Sequence, residues 1–286
     1  MSKADPQVLA ALRGLTFDGL AQDAGPLVLG ICGSQGSGKS TLAEAMADDL
    51  AGKGLKSAVL SLDDLYLTRA ERERLAKQVH PLLITRGPPG THDVALGIEV
   101  LDALRSGTPV RMPRFAKAKD DRCDSSAWPE VAGQCDVLIF EGWCLGARAQ
   151  EPEALAQPLN ELEMREDADG RWRSFINEAL AGPYQDLFAR IDRLVLLQAP
   201  AFEVVLDWRQ EQEEDLRARL PDAPGLMSWE QIARFIAHYE RITRHILSEM
   251  PARADLVVQL DARRSPEAIL TGSRREAGGR FDGPAR

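Results

Sequence analysis

Cysteine is scarce in this chain of 286 residues, and so is an excess of positive charge. The four cysteines, Cys32, Cys123, Cys135 and Cys144, show no CxxC spacing. Reduced thiols in a cytoplasmic protein are therefore expected. Lys and Arg number 35 against 44 Asp and Glu, a formal charge of −9 with a pI near 5.1. That balance argues against a general nucleic-acid binder, which needs a basic face, although a local basic pocket is compatible with it. No run approaches 18 apolar residues, so no membrane span is expected. Met1 to Asp23 has acidic residues and no long apolar core, unlike a secretory signal. There is no internal repeat.

What the chain does have is a 44% hydrophobic composition in periodic segments, enough for one α/β domain with trimmings. Met1–Gln22 reads as an amphipathic leading helix with Val8, Leu9, Leu12, Leu15 and Leu20 on its apolar side. Short Val-, Leu- and Ile-rich runs follow at Pro26–Cys32, Ser57–Leu62, Asp136–Phe140, Arg193–Gln198 and Leu256–Leu260. Helical patterns lie between or after them, at Ser40–Ala51, Val94–Ser106, Trp172–Leu180, Phe202–Arg219 and Trp229–Ser248. Continuous apolar runs alternating with helices predict a doubly wound, mostly parallel sheet of about five strands. We expect a helical extension over residues 1–25, the main domain over 26–262 and a flexible tail over 263–286, Gly-, Arg- and Asp-rich from Ser273. Thr108–Val131 is irregular, charged and punctuated by Pro109, Pro113 and Pro129, which suits a functional loop.

The strongest motif is GSQGSGKS, Gly33 to Ser40, which fits G-x-x-x-x-G-K-[ST] between an apolar strand and a helix. Gly33, Ser34, Gln35, Gly36, Ser37, Gly38, Lys39, Ser40 and Thr41 are the expected nucleotide-binding residues. Glycines let the backbone turn and aim successive N–H groups at a phosphate, and the following helix N-terminus adds its positive end. Lys39 is expected on the β and γ oxygens, and the Ser40 hydroxyl on Mg²⁺. Asp136–Gly142 is a strand ending in an acid, the Walker B layout, with Glu141 as second metal residue. ATP and Mg²⁺ are thus the expected cofactors. No NKxD guanine motif is present, and the motif set of ring-forming ATPases is missing. The second strand ends in Asp63-Asp64-Leu65-Tyr66, at the sheet edge where catalytic crevices form. Asp63 is the candidate general base and Asp64 a metal or substrate partner; a helix cap or solvated turn is the alternative.

In order, GSQGSGKST, SLDDLYLT, TRGPPGTHD, MPRFAKAKDDRCDSSAWPEV and VLIFEGWCLG resemble the D-glycerate 3-kinase family of plants and fungi. That family lies within the uridine kinase, phosphoribulokinase and pantothenate kinase superfamily. The likeness covers roughly residues 26–215 and continues more faintly to about 260. It implies phosphorylation of D-glycerate at its 3-hydroxyl, a helical lid, and a small anionic acceptor. It also implies acceptor-side roles for Asp64, Tyr66, Arg86, His92, Asp93, Arg114, Lys117 and Arg122, and a lid role for Arg209 in the WRxxQE pattern. An arginine fork suits a small carboxylate. Each assignment has a structural alternative. Asp93 fits a helix N-cap, His92 a hydrogen-bonded turn residue, Arg114, Lys117 and Arg122 solvating charges, and Trp128 and Trp143 packing rather than pocket walls. Arg209 fits an i,i+4 pair with Glu213. Uridine, pantothenate or sugar-acid kinases and a nucleotide-dependent regulatory switch are the rival functions. The segment between Trp143 and Arg171 carries no legible pattern, and the sequence is silent on oligomeric state. Lys39→Ala is expected to abolish turnover while leaving the circular dichroism spectrum unchanged; near-normal turnover would overturn the phosphate-loop assignment.

Overall fold

The computed structural model describes residues 4–22, 25–133, 135–219 and 226–272. Its centre is a six-stranded sheet built from β1 (Leu27–Gly33), β2 (Ser57–Ser61), β7 (Val137–Gly142), β8 (Arg193–Gln198), β9 (Leu256–Leu260) and β10 (Pro266–Thr271). Four two-residue strands, β3 (Val110–Arg111), β4 (Phe115–Ala116), β5 (Asp121–Arg122) and β6 (Glu130–Val131), make two small antiparallel ribbons. The sheet order is β10-β9-β8-β1-β7-β2, parallel except for β10. Five strands match the expected runs. The sixth corrects the flexible tail expected from residue 263, because Pro266–Thr271 pairs antiparallel with β9 and Ile269 packs on the core. Ser273–Arg286 lies outside the described residues.

The helices are α1 (Pro6–Gln22), α2 (Lys39–Ala51), α3 (Arg69–Gln78), α4 (Val94–Arg105), α5 (Glu161–Glu166), α6 (Arg171–Ala181), α7 (Pro183–Phe188), α8 (Glu203–Arg219), α9 (Trp229–Ala237) and α10 (Glu240–Glu249). Alternate residues of β1 serve the two faces of the sheet. Val28 and Cys32 pack with Leu101, Leu187 and Ile242, whereas Leu29 and Ile31 pack with Leu12, Met46 and Val205. Both faces are covered, so every residue of β1 and β7 is buried, as a central parallel strand requires. The leading helix belongs to the second face: Val8 and Leu12 are buried in the same cluster as Leu29.

The expected helix Trp229–Ser248 is two helices. A capping box of Ser228 and Gln231 starts α9, and His238 and Tyr239 separate it from α10. The break has a packing cause. Ile232 and Ile236 join the cluster on one face, while Ile242 and Ile246 join the other, and one straight apolar stripe cannot serve both. The charged α3 has little apolar pattern to read, and starts instead at a capping box of Thr68 and Glu71. Thr108–Val131 forms the two ribbons, anchored by Arg72, which is buried and bonded to the carbonyls of Ile84 and Asp120.

The region between Trp143 and Arg171 is tied down by a buried ion pair, Arg241 Nη2 to Glu163 Oε2 at 2.6 Å. Arg241 also donates to the carbonyls of Ala154 and Gln157. Glu163→Ala leaves that guanidinium buried without its anion. A loss of about 3–5 kcal/mol in urea unfolding is expected; a change below about 1 kcal/mol would mean the pair is dispensable.

Candidate active site

The strand order assembles the site. β7 lies between β1 and β2, with Glu141 in register with Ile31 on one side and Ser61 on the other. The loop after β1, the acid ending β7 and the acids after β2 therefore meet at the carboxyl edge of the sheet.

Gly33 to Ser40 wraps from β1 into the first turn of α2, where exposed Thr41 follows. Gly36 and Gly38 have φ values of 79° and 89°, a left-handed backbone that glycine adopts at little cost. A Cβ on Gly36 would also stand 2.6 Å from Cβ of Trp208. Trp208 is fully buried, and its indole N–H donates to the Ala262 carbonyl at 2.7 Å. It is a brace for the loop that sequence reasoning missed, since its role is set by α8 crossing over the loop. Ser40 Oγ donates to Glu141 Oε1 at 3.1 Å, and Lys39 Nζ is 4.0 Å from Glu141 Oε2. Glu141 is 5% exposed, yet its Oε2 accepts no hydrogen bond from the described residues; the buried hydroxyls of Ser34 and Ser37 are likewise without a partner among them. Unmet buried donors beside a buried carboxylate fit a phosphate chain and its divalent cation.

Asp63 sits beyond β2 on a short 3₁₀ turn. Lys117 Nζ donates to its Oδ2 at 2.6 Å and Tyr66 Oη to its Oδ1 at 2.5 Å. Burial pushes the Asp63 carboxyl up, but the charges of Lys117 and Lys39 and these two hydrogen bonds outweigh it, and the group is held well below the usual carboxylate range. Asp64 has a different task. It accepts from the Phe115 amide at 3.0 Å and lies 3.3 Å from Arg114 Nη1. Burial raises its pKa despite both partners. Asp64 thus fastens β4 to the sheet edge.

The acceptor-side cations are each matched with an acid. Arg86 pairs with Asp120 and lies over the Phe115 ring at 5.6 Å, Arg114 with Asp64, Lys117 with Asp63, and Arg122 with Asp93 at 3.0 Å. Arg122 also donates to the Tyr66 carbonyl, while Asp93 caps α4 by accepting from the Leu96 amide. Those two hold the loop in place. Lys117 is the most open of the set, 61% exposed against 14% for Arg122. Tyr66 and His92 are buried with rings 4.9 Å apart. His92 Nδ1 lies 2.5 Å from Tyr184 Oη, and burial depresses the imidazole to about 3, so it is neutral. Trp143 packs in the core and donates to the Gly87 carbonyl; Trp128 donates to the Cys123 carbonyl. Arg209, one residue beyond Trp208, is paired with Glu213 at 2.7 Å across one helical turn.

Gly36→Ala forces a Cβ against Trp208 in a backbone conformation that costs an L-residue roughly 1 kcal/mol by itself. The variant is expected to lose the rise in Tm on adding Mg·ATP. A retained shift would show that the loop tolerates the side chain without holding phosphate.

The likenesses to known proteins agree with this geometry. A family model described as the phosphoribulokinase/uridine kinase family matches residues 28–150. An uncharacterised kinase of Schizosaccharomyces pombe is 38% identical over 230 residues, covering 75% of this chain and 78% of that protein. The chloroplastic D-glycerate 3-kinase of Arabidopsis thaliana is 31% identical over 262 residues, 85% of this chain, which spans 54% of that protein's length. Among solved structures, D-glycerate 3-kinase of Cryptococcus neoformans superposes with a TM-score of 0.76 at 27% identity, over 92% of this chain and 99% of that one. With the phosphate loop and its Glu141 partner on a parallel sheet of this order, the chain belongs to the phosphoribulokinase/uridine kinase family of P-loop kinases.

Proposed function

We propose that the chain phosphorylates a small hydroxy acid, D-glycerate best, giving 3-phosphoglycerate and ADP. The observation that carries this reading is Asp63. It is an ionised carboxylate at the sheet edge with Lys39 acting on it from the phosphate loop and an exposed Lys117 bonded to it at 2.6 Å. One group can thus align a hydroxyl while the cation beside it receives an anionic substrate. The relatives described as D-glycerate 3-kinases support the acceptor's identity.

Mg·ATP supplies the transferable phosphoryl group and the divalent charge that shields it. Gly33–Thr41 would hold the phosphates, with Ser40 and Glu141 as the metal residues. Asp63 accepts a hydrogen bond from the acceptor hydroxyl. As that oxygen bonds to phosphorus and the bond to ADP breaks, the proton passes to Asp63. A carboxylate of such low basicity takes it late, which suits the loose transition state of phosphoryl transfer. Lys117 moves from Asp63 to the acceptor's carboxylate, and Arg114 is the second cation within reach of that loop. Arg209 covers the phosphates from α8 once released from Glu213.

A nucleoside acceptor would want an open ring on which to stack. Tyr66 and Trp143 are 4% and 2% exposed and are committed to other contacts. That favours the small anion over uridine. ADP release measured with D-glycerate, L-glycerate, uridine, pantothenate and no acceptor tests the reading: only D-glycerate is expected to drive turnover, and acceptor-independent turnover would favour a regulatory switch.

Asp63→Asn is expected to lower kcat by about 10²–10⁴-fold with the KM for ATP little changed. With Asp63 held below the ordinary carboxylate range, its contribution to stability and activity is complete above that range and is lost as pH falls through the depressed value. Lys117→Met removes the largest opposing charge and leaves burial to push the carboxyl up. The acid limb of kcat/KM, which reports the free enzyme, is then expected to move to higher pH in the variant; an unmoved limb would assign it to another group.

A further inference from the structure

His92 has two ring nitrogens with unlike surroundings, and a residue far along the chain decides which of them carries the proton. Tyr184, in α7, places its hydroxyl between two groups. The Gly90 amide donates to it at 2.9 Å, and His92 Nδ1 lies 2.5 Å away. An amide N–H can only donate, so it occupies a lone pair of the Tyr184 oxygen. The hydroxyl's own proton then has one acceptor here, His92 Nδ1. Burial keeps Tyr184 protonated and His92 uncharged. A proton on Nδ1 would leave that hydroxyl with no acceptor among the described residues, so the arrangement favours the neutral tautomer with its proton on Nε2.

Nε2 is buried and has no hydrogen-bond partner among the described residues, and the residue as a whole is only 4% exposed. The charge His92 feels is that of Asp63, and its ring lies against Tyr66, whose hydroxyl donates to Asp63. Gly90 is held to its place by φ of +90° and by Phe175, which would stand 2.5 Å from an added Cβ. The amide that sets the proton order is thus itself fixed.

We propose that Tyr184 is a positioning residue for the acceptor: with the Gly90 amide it locks His92 as the Nε2–H tautomer, so that a neutral donor and not a cation meets an oxygen of the acceptor. An unmet buried N–H is costly, and an acceptor oxygen relieves that cost on binding. A neutral donor also leaves the charge balance around Asp63 undisturbed, which an imidazolium would not. The inference deepens the kinase reading above and rests on it for the identity of the ligand, but the tautomer itself does not depend on turnover.

The test uses the full chain labelled with ¹⁵N-histidine. Two-bond ¹H–¹⁵N spectra of wild type are expected to show His92 protonated at Nε2 alone, and Tyr184→Phe to show a mixture of both tautomers. Kinetics on the same samples should show the KM for D-glycerate raised about 3- to 10-fold in Tyr184→Phe, with the KM for ATP unchanged. His92→Gln, whose amide can present N–H near the Nε2 position, should recover part of the acceptor affinity that His92→Asn loses. A wild-type ring protonated at Nδ1 or at both nitrogens overturns the inference, as does an unchanged D-glycerate KM in Tyr184→Phe. If D-glycerate gives no turnover at all, the substrate reading fails, and the spectra alone then decide the tautomer.

Discussion

Keeping one carboxylate charged in a half-buried place is the constraint on which the site's architecture depends. Asp63 alone would be driven toward its neutral form by burial. Two lysines from different elements and one phenol reverse that tendency. Lys39 comes from the phosphate loop, Lys117 from the loop after β4, and Tyr66 from the turn that carries Asp63 itself. The phosphate loop and the loop after β4 are consequently joined through a single charge, and a change in either is felt at the other.

The acceptor loop is held by the same economy of opposite charges. Arg86, Arg114, Lys117 and Arg122 each meet an acid, and the acids are Asp120, Asp64, Asp63 and Asp93. Exposed pairs contribute little to stability, so the more open Lys117 and Arg114 can exchange partners at small cost. Arg122 is different: it is mostly buried and also bonded to the Tyr66 carbonyl, so it is held more firmly. The division between mobile and fixed cations follows from burial, since the residue types are alike.

Opposite the loop, the helical layer braces the site from behind. Trp208 limits the space at Gly36, and Tyr239 donates to the Arg86 carbonyl at 2.9 Å while packing against Trp143. Tyr239 reaches that position because the chain breaks between α9 and α10. Tyr184 fulfils the comparable task for His92. None of these three aromatic residues carries a local signal of its role. Each acts across the fold on a residue between 92 and 172 positions away in sequence.

The sequence by itself determined the parallel strands, the phosphate loop and the identity of the acids at the strand ends, because those depend on local periodicity and on residue types that phosphate chemistry demands. It could not decide between capping and acceptor binding for Asp93, or between substrate and scaffold for Asp64 and Arg122, since an acid or a base reads the same in either role. Nor did composition reveal β10, whose partner strand supplies the hydrogen bonds and the apolar contact for Ile269. Tertiary structure added what local pattern lacks: β7 inserted between β1 and β2, the loop ribbons brought cations onto acids, and His92 came within reach of Tyr184.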